Sequence, residues 1–234
     1  MKVIILAGGQ GLRLREILKD IPKPMALVAG KPFLEYLILQ LIRWNIKEII
    51  FSIGFKGNLI RSHFGNGKKW GVNISYSAEK KPLGTGGALR MAVQKIDDEH
   101  FIVMNGDSFL DIDFNALIDF HRKNNAMATM GLVHINDTSR YGRVETNGNG
   151  RVVGLVEKGI KGKGTINGGI YIFNHKIADV IPSGNISLEK EVLPVLIGQG
   201  FYGMIARGFF VDIGTPEDYL NLYKNPEKLM DIVN

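Results

Sequence analysis

The sequence predicts a single α/β domain with a Rossmann-like, mixed and mostly parallel sheet flanked by helices. Through the first half of the chain, short apolar β-branched runs alternate with longer segments of helical periodicity. The chain has 234 residues, a length that suits one domain. It contains no internal repeat and no linker of biased composition, so we expect the second half to extend the same sheet.

The first half follows a β-α-β order. Strands connected through helices run parallel, and ligands bind beyond the carboxyl ends of such strands. The first long helix begins at Pro32, which is favoured in a first helical turn. The predicted strands cover residues 2–6, 47–53, 72–78 and 100–107, and the predicted helices cover residues 32–45, 56–64, 84–96 and 114–124.

After about Ala126 strands become more frequent. The segment "ETNGNGRV" places Asn-Gly turn chemistry between apolar runs, which predicts a hairpin. Ser187 is a suitable cap for a helix that ends at the glycine at 198 or 200. Further strands are predicted over 128–135, 165–173, 202–206 and 208–214, and helices over 215–233.

The composition and charge of the chain exclude some classes of function and favour others. There are no cysteines, which excludes disulfides, thiolate metal sites and cysteine nucleophiles. The net charge is +6, but the lysines and arginines are dispersed, which favours a small polyanionic substrate over nucleic acid. No apolar stretch approaches the length of a membrane span. We expect a cytoplasmic protein that binds neither nucleic acid nor membrane, with a homo-oligomer left open.

The first strand ends in a glycine-rich turn, "AGGQGLR". Glycines let backbone N–H groups approach a phosphate, and a helix beginning behind the turn would add positive potential. Leu14 stands where a dinucleotide-binding turn has its third glycine, and no acidic residue closes the second strand to bind a ribose. The turn therefore predicts a phosphate site without the dinucleotide pattern.

Two cations accompany this turn. Arg13 follows the glycines, and Lys23 lies between Pro22 and Pro24, which stiffen its backbone. Each alone is more often an ordinary surface residue. Together at one strand end they favour triphosphate binding.

Aspartates follow two distant strands. Asp107 and Asp212 each come after an apolar run, and we expect them to share one Mg²⁺ that contacts phosphates. For Asp113 the simpler interpretation is a helix cap, and for Asp218 it is a charge that favours a helix N-terminus.

The chain resembles the sugar nucleotidyltransferases, the nucleotide-sugar pyrophosphorylases, over nearly its whole length. One matching motif would be weak, but five in sequence order are specific. Leu12 departs from the family pattern, in which threonine is usual, and "EKG" replaces the frequent "EKP". The matching segments are "LAGGQGLRL…IPKPM", "PLGTGGAL", "NGDSF", "VEKG" with "NGGIYIF", and "FVDIGTPEDY".

The resemblance implies that a sugar 1-phosphate attacks the α-phosphorus of a nucleoside triphosphate and that pyrophosphate leaves. Arg13 and Lys23 would be catalytic, and Asp107 and Asp212 would hold Mg²⁺. Residues 1–125 would form the nucleotide-binding half, and 126–234 the sugar-binding half with the C-terminal helices. The nucleotide would contact Leu6, Ala7, Gly8, Gly9, Gly11, Glu79, Pro82, Leu83, Gly84, Gly86 and Asp107, and the sugar phosphate Gly142, Glu157, Lys158, Asn167 and Gly168.

The segments "EKKPLGTGGAL", "KDIPKPMA" and "NGDSFLDID" are most similar to guanylyltransferases that act on D-glycero-α-D-manno-heptose 1-phosphate. This implies that GTP is the donor and that GDP-heptose is made for capsule or surface-layer glycans. A mannose 1-phosphate guanylyltransferase and a short uridylyltransferase for an amino sugar phosphate remain alternatives. A non-catalytic sensor of nucleotide sugars is disfavoured because Arg13, Lys23 and both aspartates are present.

Overall fold

A computed structural model describes residues 1–233. The strands are β1 (Val3–Ala7), β2 (Leu27–Val28), β3 (Lys31–Pro32), β4 (Glu48–Ile53), β5 (Asn73–Ala78), β6 (His100–Asn105), β7 (Ser108–Leu110), β8 (Ala128–Ile135), β9 (Arg143–Thr146), β10 (Val152–Val156), β11 (Gly164–Asn174), β12 (Phe201–Ala206) and β13 (Phe210–Asp212). The helices are α1 (Arg15–Leu18), α2 (Phe33–Arg43), α3 (Gly57–Phe64), α4 (Gly84–Val93), α5 (Phe114–Lys123), α6 (Ile177–Val180), α7 (Pro216–Lys224) and α8 (Glu227–Val233).

Nine strands form one mixed sheet. Across the order β5, β4, β1, β6, β11, β8, β12, every strand except β11 runs in the same direction. The predicted hairpin of β9 and β10 extends the sheet beside the first part of β11. The predicted mixed, mostly parallel sheet is confirmed, and the second half belongs to it.

Helices cover both faces of the sheet because its central strands are apolar on both sides. In β1, Val3 and Ile5 belong to the core under α2, while Ile4 faces the core under α4. Leu37 of α2 and Leu89 of α4 are fully buried in these two cores. No helix within residues 1–233 is both long and apolar enough to cross a bilayer.

Two segments differ from the helices predicted for them. The glycine-rich turn leads into a 3-10 helix, Leu12–Leu14, and then the four-residue α1, so no long helix dipole supports it. Ser187 caps its segment as expected, but the segment forms a π-helix, Leu188–Val192, and a 3-10 helix, Leu193–Leu196. Pro194 lacks a backbone N–H, which prevents a regular helix from continuing here.

A buried histidine of α5 lies far from the sheet's carboxyl end. His121 is completely buried, and its ring nitrogens contact Thr129 Oγ1 at 2.8 Å and His100 Nδ1 at 3.0 Å. Burial, together with the charges of His100 and Arg122, lowers the pKa of His121 to about 4. The imidazole is therefore neutral in the folded protein at neutral pH.

This histidine predicts acid-sensitive stability. In the unfolded chain His121 takes up a proton near its ordinary pKa of 6.5, whereas in the folded chain it does so only near 4. The neutral His121 side chain therefore contributes fully to the free energy of unfolding above pH 6.5. As the pH falls towards 4, this free energy decreases by up to about 3 kcal/mol. Denaturant titrations of wild type, His121→Gln and the exposed-site control His134→Gln check this. Parallel pH curves for wild type and His121→Gln would contradict it.

Candidate active site

A large cleft opens at the carboxyl ends of β1, β4 and β6. Its volume is about 1490 Å³, and most of the predicted site residues line it, although they come from distant parts of the chain. The predicted residues that line the cleft are Leu6, Ala7, Gly8, Gly9, Gly11, Arg13, Lys23, Glu79, Pro82, Gly84, Asp107, Gly142, Glu157, Lys158, Asn167 and Asp212.

Three predicted contact residues are not among those that line the cleft, although they lie next to residues that do. Leu83 and Gly86 exchange backbone hydrogen bonds with Ile186, so they fix the loop that carries Gly84. Gly168 is buried against Leu110, and the adjacent Gly169 lines the cleft. Direct ligand contact by these three residues stays a prediction.

The glycine-rich turn has a conformation that its sequence requires. Gly11 has a φ of 58°, in the left-handed region, and a Cβ there would lie 3.2 Å from Lys23 Cβ. Glycine thus permits both the turn and the close approach of Lys23. Leu14 is buried beneath the turn, which explains why it replaces a glycine. Leu12 is exposed at the mouth of the cleft, and nothing in the structure explains it.

Glu79 closes the other side of this turn. Its Oε2 accepts a hydrogen bond of 3.0 Å from the backbone N–H of Leu83. Its Oε1 lies over Gly8 and Gly54, and a Cβ on Gly54 would overlap it. Burial raises the pKa of Glu79, partly offset by the Leu83 bond. A carboxylate is thus held against two glycines with one oxygen free of hydrogen bonds to the protein.

Lys23 and Asp107 form the centre of the cleft. Lys23 Nζ donates to Asp107 Oδ2 at 2.6 Å, and the lysine side chain is only 11% exposed. Asp107 follows β6, and its carbonyl oxygen accepts from Ile213 N–H at 2.9 Å. The antiparallel pairing of β7 with β13 then places Asp212 directly opposite Ser108. The aspartates predicted at two strand ends are brought together, beside the predicted lysine.

The aspartate pair suits a divalent cation. Burial and the neighbouring charge of Asp107 raise the pKa of Asp212 to about 6, against the attraction of Lys23. Two crowded carboxylates of this kind gain from a shared cation. Within residues 1–233 no group of three or more His, Asp or Glu side chains could hold a metal alone. The pair fits an ion such as Mg²⁺, which completes its shell with phosphate oxygens and water.

The opposite wall comes from β11, which bends at a bulge. Its register with β8 shifts between Asn167 and Tyr171, where two extra residues are accommodated. The Asn167 side chain spans this bulge, donating to Tyr171 Oη at 2.5 Å and accepting from Gly169 N–H at 2.9 Å. The bulge therefore fixes the Asn167 amide at the cleft surface.

Arg140 and Tyr141 line the cleft but were not predicted from the sequence. Arg140 forms a two-pronged ion pair with Asp218, which also accepts from Thr215 Oγ1. Tyr141 packs edge-on against Phe210, two residues before Asp212. Asp218 therefore does more than favour a helix N-terminus, because it connects the loop before β9 to the start of α7, which follows β13 and Asp212. In the sequence, the one feature that pointed to Arg140 and Tyr141 is that they directly precede Gly142, a predicted contact residue.

Comparison with known proteins identifies the family. The family model described as nucleotidyl transferase matches residues 2–228. The chain belongs to the nucleotidyl transferase family. This nucleotidyl transferase is 39% identical to the D-glycero-alpha-D-manno-heptose 1-phosphate guanylyltransferase of Aneurinibacillus thermoaerophilus, over 96% of this chain and 97% of that protein.

Two further proteins are similar to this nucleotidyl transferase. The mannose-1-phosphate guanylyltransferase of Mycobacterium tuberculosis is 37% identical over 93% of this chain, which spans 62% of that protein. The crystal structure of HddC from Yersinia pseudotuberculosis complexed with GMP-PN has a TM-score of 0.85 and 35% identity, covering 95% of this chain and 98% of that one. Both the sequence and the fold thus place the cleft in a nucleotidyl transferase.

The charge of the cleft suits this family. Its lining carries more cationic than acidic side chains. Opposed phosphate groups can be brought together there with less repulsion than in water. The lining cations are Arg13, Lys23, Lys80, Lys81, Arg140, Arg143, Lys158 and Lys190.

Proposed function

We propose that this nucleotidyl transferase uses Mg²⁺ to transfer a guanylyl group from GTP to D-glycero-α-D-manno-heptose 1-phosphate. The products are GDP-heptose and pyrophosphate. The observation that carries the proposal is the near full-length match to the Aneurinibacillus thermoaerophilus protein of that name, since both chains are covered almost completely.

The reaction needs little from the protein beyond positioning and charge stabilisation. An oxygen of the sugar phosphate attacks the α-phosphorus, a new P–O bond forms, and the bond to the bridging oxygen of pyrophosphate breaks. The nucleophile is already an anion, so no side chain has to remove a proton. Arg13, an exposed cation on the cleft wall, holds the triphosphate and stabilises charge at the α-phosphorus. Lys23 binds phosphate oxygens at the cleft centre.

Asp107 and Asp212 would hold the Mg²⁺, for which their paired carboxylates are suited. The bound ion would supply positive charge near the phosphate oxygens. Lys23 remains beside the pair, because its amine already contacts Asp107. The protein thus collects its fixed charges at the point where the phosphates meet.

Glu79 selects the base. Guanine presents N–H donors at N1 and at its 2-amino group, and Glu79 Oε1 is an acceptor with no hydrogen bond to the protein. Pro82 and Gly84 line the same part of the cleft, with the backbone of Gly8 opposite. A carboxylate acceptor favours a base with donors on this edge.

The sugar half of the cleft supplies acceptors and a cation. Glu157 and Asn167 bind sugar hydroxyls, Gly142 lies near the ring, and Lys158 binds the sugar phosphate; all four residues line the cleft. Residues 1–125 accordingly bind the nucleotide, and the wall from residue 126 onwards binds the sugar phosphate.

A substrate panel tests the proposal. Purified protein with Mg²⁺ is assayed for pyrophosphate release from GTP, ATP, UTP and CTP, each with heptose, mannose and amino sugar 1-phosphates. The largest kcat/KM is expected for GTP with the heptose phosphate. Faster turnover of UTP or CTP than of GTP would contradict the nucleotide assignment. Preference for mannose 1-phosphate would instead support the second candidate, which the Mycobacterium tuberculosis relative favours.

Glu79→Gln is expected to lower kcat/KM for GTP by about 10- to 100-fold, because a charge-assisted acceptor is lost. The loss should be smaller for ITP, which lacks the 2-amino donor. Steady-state kinetics with both nucleotides measures this, and Glu99→Gln, an exposed change outside the cleft, is the matched control. An unchanged kcat/KM for GTP would remove Glu79 from base recognition, and equal losses for GTP and ITP would restrict its contact to N1–H.

A further inference from the structure

Among the acidic groups that line the cleft, Glu189 has no assigned task. Asp107 is paired with Lys23, and Glu79 accepts from Leu83 N–H. Asp212 accepts from Gly214 N–H. Glu189 also lines the cleft, but it takes part in none of the ion pairs found in residues 1–233. Its carboxylate therefore has no ion-pair partner among these residues and faces the cleft beside the amide of Asn105.

The backbone that carries Glu189 is firmly anchored. Glu189 belongs to the π-helix 188–192, an unusual turn that is enriched at functional sites. Leu188 N–H donates to Thr85 Oγ1 at 2.8 Å, and Ile186 accepts from Gly86 N–H at 2.8 Å. Because these partners begin helix α4, the position of Glu189 is fixed relative to the loop proposed to bind the base.

The surroundings of Glu189 combine one repulsive and three attractive groups. Asp107 carries the same charge, while Lys158, Lys190 and the amide of Asn105 favour its ionised form. The Glu189 side chain is exposed to the cleft, where desolvation by the surrounding walls, together with Asp107, raises its pKa. A carboxylate here also opposes the approach of phosphates, which costs binding energy unless the group makes a compensating contact with a substrate.

We propose that Glu189 accepts hydrogen bonds from hydroxyl groups of the acceptor sugar. This inference rests on the proposed function, in which a sugar 1-phosphate occupies the wall beside Lys158. A metal ion is the weaker choice of ligand, because Glu189 does not form a metal-binding group of three with Asp107 and Asp212 in residues 1–233. A carboxylate beside an amide and an amine matches the hydroxyl groups and phosphate of such a substrate.

Two substitutions at this position test the proposal. Glu189→Ala removes both acceptor oxygens, and Glu189→Gln keeps one of them without the charge. Glu191→Gln is the matched control, because it makes the same change two residues away on a side chain outside the cleft. The assays use whichever sugar phosphate gives the wild type its highest kcat/KM. A failed heptose assignment is then visible in the wild type and does not affect this test.

Glu189→Ala is expected to raise the KM for the sugar phosphate about tenfold or more. The KM for GTP and the half-saturating Mg²⁺ concentration should each stay within about twofold of wild type, with Glu189→Gln intermediate for the sugar. In a set of acceptors that each lack one hydroxyl, at least one should show a smaller difference in KM between wild type and Glu189→Ala, because a hydroxyl that Glu189 contacts is missing from it.

Three results would overturn the proposal. A higher Mg²⁺ requirement with unchanged sugar KM would make Glu189 a metal ligand. A loss confined to kcat would place it at the reacting phosphates. Equal losses in Glu189→Ala and Glu191→Gln, or a lower melting temperature that accounts for the loss, would mean that the helical segment had been disturbed.

Discussion

Asp107→Asn is expected to lower kcat by about 10²- to 10³-fold, while the KM for GTP changes by less than about threefold. Asp107 Oδ2 lies 2.6 Å from Lys23 Nζ, and the Asp107 carboxylate is close enough to Asp212 to affect its pKa. Its negative charge therefore stabilises both the lysine and the proposed ion. Asparagine keeps the shape but removes that charge. Steady-state kinetics at several Mg²⁺ concentrations measures the change.

Asp113→Asn is the matched control for this substitution. Asp113 caps α5 through a bond of 2.9 Å from Ala116 N–H, and asparagine caps helices equally well. The control should therefore retain wild-type activity and stability. Full activity of Asp107→Asn at saturating Mg²⁺ would exclude Asp107 from the metal site.

Arg13→Ala is expected to lower kcat by about 10²-fold, the size of effect seen when one group that stabilises transition-state charge is removed. Arg13 lines the cleft next to the glycine-rich turn, and its exposed guanidinium is accessible to a triphosphate. Arg13→Lys should recover part of the loss, because a lysine retains the charge but not the planar donor geometry.

Arg15→Ala provides the comparison for Arg13→Ala. Arg15 lies two residues further on, outside the cleft, where its guanidinium is 5.1 Å from the centre of the Phe55 ring. Its removal should leave kcat unchanged. If Arg13→Ala raises only the KM for GTP, Arg13 helps to dock the nucleotide and does not stabilise the transition state.

Much of the fold could be predicted because the spacing of apolar residues along the chain indicates which side chains are buried. The apolar runs of β1, β4 and β6 are buried on both faces of the sheet, and such strands are continuous in sequence. The predicted cap at Asp113 is also confirmed. The π-helix 188–192 was missed because its spacing differs little from that of an α-helix over five residues.

The cleft was predictable only where a side chain has a chemical signature next to a strand end. Asp107 and Asp212 have that signature. Arg140 does not, because its partner Asp218 is distant in sequence and the pair forms only after folding. Glycines are harder still to assign, since the sequence "NGG" cannot show that Gly169 lines the cleft and Gly168 does not. That difference depends on the bulge in β11.

The position of β11 limits how this enzyme can be recombined with its relatives. A cut near residue 126 looks like a natural junction between the two halves, but residues 170–174 of β11 pair with β6 in the first half. A chimaera joined there would place a foreign strand beside native β6 and Asn105. Acceptor preference is better exchanged by grafting residues 136–158, because this segment carries Gly142, Glu157 and Lys158 and does not include the pairing of β6 with β11.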